Sequence, residues 1–123
     1  MPSIQRPLSG DVMKFDIQRE LAIAGEGAER SGRSARTLLK EDSLRVTLVV
    51  LAPGGELAEH HAPGPITVQP LQGRIRFTTD GQVHEVGPGA LLALGPNVRH
   101  SVTSDEGASF LLTLSIPGNG GGA

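Results

Sequence analysis

Arg74-Ile75-Arg76-Phe77-Thr78-Thr79-Asp80-Gly81-Gln82-Val83-His84-Glu85-Val86-Gly87-Pro88-Gly89 is the stretch on which the fold turns. Polar and apolar residues alternate from Arg74 to Thr78, which places Ile75 and Phe77 on one face of a strand. Asp80-Gly81 is a strong signal for a tight hairpin turn, and Gln82 to Val86 reads as the return strand. Gly87-Pro88-Gly89 then turns the chain again.

The same grammar extends in both directions. Downstream, Ala90 to Leu94 reads as a strand, Gly95-Pro96-Asn97 as a turn, Val98 to Thr103 as a strand and Ala108 to Ile116 as a last apolar strand. Upstream, Leu44-Arg45-Val46-Thr47-Leu48-Val49-Val50-Leu51 is short and β-branched. It lies between Lys40-Glu41-Asp42-Ser43 and Pro53-Gly54-Gly55, which favours a buried strand over a helix. Short strands with a turn every ~8–12 residues belong to a sandwich or a barrel.

Residues 1–34 read as an N-terminal extension that supplies an edge strand, residues 35–116 as the barrel, and residues 117–123 as a flexible Gly-rich tail. Within the extension, Met1 to Gly10 is a loose lead-in, Val12 to Ile17 a short first strand, and Ile23 to Ser34 a loop. Arg30, Arg33 and Arg36 are expected to form a solvated edge.

Composition narrows the function. The 123 residues suit one domain. A formal net charge of -2 gives no electrostatic footprint for nucleic acid, and the absence of Tyr and Trp removes the usual base-stacking platforms. Without cysteine there is no disulfide framework, thiolate nucleophile or sulfur-ligated metal. No stretch has the length or apolarity of a signal peptide or a membrane span, so the expectation is a cytoplasmic protein without membrane contact.

The residues able to do chemistry are the histidines His60, His61, His84 and His100, with Glu59 beside the first pair. Imidazole is the commonest neutral metal ligand and a proton carrier near neutral pH. Successive side chains of a strand point to opposite faces, so His60 and His61 reach one metal only if the strand bulges or ends there. His84 reads as a sheet-face residue rather than a ligand. There is no nucleophile elbow, phosphate loop or dinucleotide fingerprint.

The order of these pieces resembles the cupin superfamily, in particular small single-domain cupins, over Leu44 to Ile116. Gly54 is followed after five residues by His60, as at the start of the first cupin motif, and Pro70-Leu71-Gln72-Gly73 stands where that motif closes. Gly89-Ala90, the apolar Leu91 to Leu94 and His100 follow the order of the second motif. The motifs are degenerate. Counting forward from Gly54 puts Ala62 in the second histidine position, whereas counting back from Gly73 puts His61 there and Glu59 in the first. The glutamate position falls at Ile66 or Thr67, with Gln69 the nearest polar substitute.

The resemblance implies an all-β, double-stranded β-helix of the jelly-roll, RmlC-like cupin kind, and a homodimer. It implies a divalent metal (zinc, iron, nickel, manganese or copper) on His60, His61 and His100, with Glu59 as a catalytic base. Three function classes stand at this point: a metal-dependent enzyme on a small molecule, a metal-free barrel that binds or senses a small ligand, and a fold whose histidines only line its interior.

Overall fold

The computed structural model describes residue 10 and residues 12–116. The expected Gly-rich tail, and the lead-in apart from Gly10, lie outside the described residues. An α-helix, α1 (Ile17–Ser31), precedes β1 (Arg33–Lys40), β2 (Leu44–Leu51), β3 (Glu56–His60), β4 (Ile66–Gln72) and β5 (Ile75–Thr79). The chain continues through β6 (Gln82–Val86), β7 (Leu92–Leu94), β8 (His100–Thr103) and β9 (Ala108–Ser115). Two antiparallel sheets result, a five-stranded one in the order β1-β2-β9-β4-β7 and a four-stranded one in the order β3-β8-β5-β6.

Alternation puts one residue set of each sheet between the layers. Val49, Val68 and Phe110 of the larger sheet meet Ile75, Phe77 and Val102 of the smaller one, all buried. The hairpin read from Asp80-Gly81 is present, with Thr79 opposite Gln82 and Phe77 opposite His84. Asp80 and Gly81 both take positive φ, the geometry that this two-residue turn requires.

The N-terminal segment departs from its sequence reading. Residues 12–16 form no strand, and the expected loop from Ile23 to Ser34 is mostly the helix α1 and the start of β1. Asp16 caps the helix by accepting from the Arg19 amide at 3.2 Å, and Gly32 ends it in the left-handed region. Gly25, Gly27 and the small apolar residues hid it, because its apolar stripe is made of little more than Leu21, Ala24 and Ala28. Arg36 is no solvated edge: its guanidinium pairs with the carboxylate of the buried Glu20.

The helix covers the outer face of the larger sheet. Ala24, Leu38 and Leu48 form a second buried cluster, with Leu21, Val50 and Leu111 against it. The sheet is therefore apolar on both faces along the second half of β2, which explains the continuous apolar run from Leu48 to Leu51. Leu48 is fully buried in this outer cluster and has no part in the barrel interior. Leu48→Ala is expected to lower the unfolding free energy by about 2–5 kcal/mol, read from urea denaturation.

Candidate functional site

One irregularity in β3 builds the site. Directly opposed residues of an antiparallel pair project to the same face. Leu57 is opposite Val102, and His60 is opposite His100. Three steps along β3 thus match two along β8, so β3 carries a bulge. Strict alternation would have put Glu59 on Leu57's inward side and turned His60 away. With the bulge, Leu57 and His60 both face the interior. Glu59 faces outward, its side chain 62% exposed, and meets Arg99 at 3.4 Å. It does not join the histidines as the expected base. His61 lies beyond the end of β3 and is exposed.

The rings of His60 and His100 lie edge to face with centroids 4.2 Å apart. His100 is buried and stacks on Phe77 at 5.0 Å, whereas His60 is exposed at the mouth. Both rings are held in the same way. The Nδ1–H of His100 donates to the Val98 carbonyl at 3.0 Å, and that of His60 donates to the Ala58 carbonyl at 2.8 Å. A carbonyl can only accept, so Nδ1 carries the proton, and in the neutral ring Nε2 keeps a lone pair. The Nε2 atom of His100 is buried and has no hydrogen-bond partner in the protein. Such an atom is costly unless something else completes it.

The pair belongs to a longer polar row. His60 opposes His100, His100 opposes Thr79, and Thr79 opposes Gln82, so one inward row crosses all four strands of the smaller sheet. At ~4.8 Å between strands the row is about 14 Å long. In the next row, His84 lies opposite Phe77 and is half-buried, with its Nε2 3.3 Å from the Thr79 hydroxyl. Thr79, Gln82 and this use of His84 were missed in the sequence. The signal was present, since Ile75, Phe77 and Thr79 alternate and a two-residue turn sets their partners.

The loop of residues 61–65 joins the His60 end of β3 to the Ile66 end of β4. Gly64 makes that loop fit, because a Cβ there would lie 1.7 Å from the Ser115 carbonyl oxygen. The same end of the larger sheet presents Leu92, Leu94, Leu112 and Leu114 inward, only half-buried. Inward side chains that are not fully covered mark an open end of the barrel. The opposite end is filled by Leu51, Ile75, Ala108 and Phe110.

A metal of the kind implied by the resemblance finds an incomplete set here. Of the positions that would hold it, His60 and His100 have their rings side by side, and the Nε2 of His100 has no partner in the protein. Ala62 in the second histidine position packs against the core, and Ile66 in the glutamate position is buried. Gln69 is exposed on the outer face and is no substitute. Among the described residues, no three His, Cys, Asp or Glu side chains cluster to hold a metal ion. The residues present therefore do not fit a four-ligand centre.

Burial pushes the His100 pKa below the ordinary histidine value of 6.5; the Val98 hydrogen bond opposes this, and the charges of His60 and His61 reinforce it. The sign for stability follows. As pH falls through 6.5 the unfolded chain takes up the proton before the folded one does. Folding stability is then lost as the solution is acidified below that value, until the folded-state pKa is reached. With chelator present, the urea midpoint of the wild type is expected to fall between about pH 8 and about pH 5.5, and to fall less for His100→Gln.

The comparisons agree with this architecture. The cupin domain model matches residues 47–115. An L-ectoine synthase of Hyphomonas neptunium is 26% identical over 101 residues, covering 79% of this chain and 75% of that protein. A conserved protein of unknown function from Streptococcus pyogenes superposes with a TM-score of 0.71 at 24% identity, over 95% of this chain and 96% of that one. A cupin superfamily protein from Desulfitobacterium hafniense gives a TM-score of 0.67 at 21% identity, over 70% of this chain and 79% of that one. With the family model spanning more than half of its residues, the chain belongs to the cupin domain family.

Proposed function

We propose that the open end of the barrel binds a small organic molecule, with the His60–His100 pair as its polar anchor. The observation that carries this reading is the buried, unpartnered Nε2 of His100. Its ring is fixed from behind by Val98 and from the side by Phe77, so the lone pair is preorganised for an incoming group. Without a metal, that nitrogen accepts a hydrogen bond, so the ligand presents a hydroxyl or an amine there. The half-buried leucines of the facing sheet accommodate an apolar portion. Family membership and the likeness to an L-ectoine synthase support a small molecule as the occupant.

The same two lone pairs favour a second reading, in which the pair holds a divalent ion. Two protein ligands alone leave most coordination positions open.

The first reading is tested by a thermal-shift panel of small hydroxyl- and amine-bearing compounds on chelator-treated protein, followed by calorimetry of each hit. His100→Phe keeps the ring stack and removes the nitrogen, and is expected to weaken binding at least about tenfold. Equal affinity in the variant would place the ligand elsewhere.

A further inference from the structure

The inner face of the larger sheet ends in positive charge. Val46 packs into the outer cluster beneath α1, so Arg45, the residue before it, takes an inward position. Its partner on β9 is Leu114, one of the half-buried leucines of the open end. Lys40 is opposite Arg45 on β1. The outermost inward row of this sheet is therefore Lys40, Arg45, Leu114, Ile66 and Leu94. It stands across the open end from His60, His100, Thr79 and Gln82. Residues 52–55 join β2 to β3, and Arg33, at the start of β1, donates to the Glu56 carbonyl at 3.4 Å. The cationic end of the row is thus the end on the side of β3, the strand that carries His60.

Like charges directly opposite one another on paired strands repel. Among the described residues, neither Lys40 nor Arg45 makes an ion pair or a side-chain hydrogen bond. No Asp or Glu among them takes an inward strand position: Glu59 meets Arg99, and Arg76 engages Glu85 and Asp105 on the outer face. Glu56 shares that outer row, and Glu41 and Asp42 lie in the turn beyond β1. Lys40 has a sufficient reason in its place on an edge strand, where an inward charge discourages a further strand from adding. Arg45 has no such reason, because β2 is paired on both sides.

We infer that Arg45, with Lys40 beside it, holds the anionic group of the barrel's ligand, a small organic oxyanion whose hydroxyl or amine reaches His100. The inference rests on the proposal that the open end is a ligand site, and it names the ligand class. A guanidinium offers paired donors to a carboxylate or a phosphate, and the neighbouring ammonium adds charge without directional demand. Leu114 and Ile66 continue the row and give the carbon skeleton an apolar floor. Facing sheets pack ~10 Å apart, so a molecule with only a few bonds between its anionic group and its donor spans both anchors.

The test is calorimetry on the full chain, treated with chelator. The probes are three hydroxybutyrates, with the hydroxyl on the second, third or fourth carbon, their neutral amides, glycerol phosphate, and glycerol. At least one anion is expected to bind about tenfold or more tighter than its neutral counterpart, and the preferred anion decides between carboxylate and phosphate. Arg45→Gln, at an exposed position, is expected to weaken that binding by about tenfold or more, and Arg45→Lys by less. Arg99→Gln removes the same charge beside the outward Glu59 and is expected to leave affinity unchanged. Equal affinity for anions and neutral counterparts overturns the inference, as does equal weakening by Arg45→Gln and Arg99→Gln. Neutral compounds that lose affinity in His100→Phe but not in Arg45→Gln overturn it and leave the proposed function standing. An anion weakened by Arg45→Gln but not by His100→Phe overturns the shared site. Absence of binding by every probe also overturns it, and the wider donor panel then decides the proposed function separately.

Discussion

The register of β3 against β8 is the constraint on which the site depends. A sheet sorts side chains by parity, and a single extra residue reverses the sorting for everything beyond it. Here the bulge between Leu57 and His60 brings an imidazole inside and sends a carboxylate outside. The edge-to-face contact of His60 with His100, and the exclusion of Glu59 from the interior, are two results of one local change. The loop that follows is equally constrained, since any side chain at Gly64 would collide with the Ser115 carbonyl.

The two ends of the barrel differ in how fully they are packed. At one end Phe110, Ile75 and Ala108 fill the space between the sheets. At the other, half-buried leucines face a polar row. His100 sits at the boundary, with one side of its ring on Phe77 and its Nε2 without a protein partner. That position accounts for its depressed pKa and for its value as a preorganised acceptor, since the burial that discourages its protonation also fixes its orientation.

Much of the barrel was legible in the residues. The Arg74–Val86 hairpin, the β-branched run Leu44–Leu51 and the last apolar strand stand in the structure almost residue for residue. The proximity of His60 and His100 depends on pairing across about forty positions of chain, which the motif order implied and local pattern alone did not. The bulge left no mark in composition, so the inward role of His60 and the outward role of Glu59 were undetermined. The helix α1 was hidden for a different reason. Its Ala-rich contact stripe and two internal glycines carry little helical signal, and the helix is held by the sheet beneath it together with the Glu20–Arg36 pair.

The second cluster under α1 changes how the open end can vary. Leu48 and Val50 anchor the larger sheet from behind, so its strands keep their places even where their inner side chains are poorly covered. A mutation to Leu92, Leu94, Leu112 or Leu114 alters the shape and polarity of the hollow while the backing layer still holds the wall upright. The lining of the mouth can therefore drift one residue at a time without passing through an unfolded ancestor.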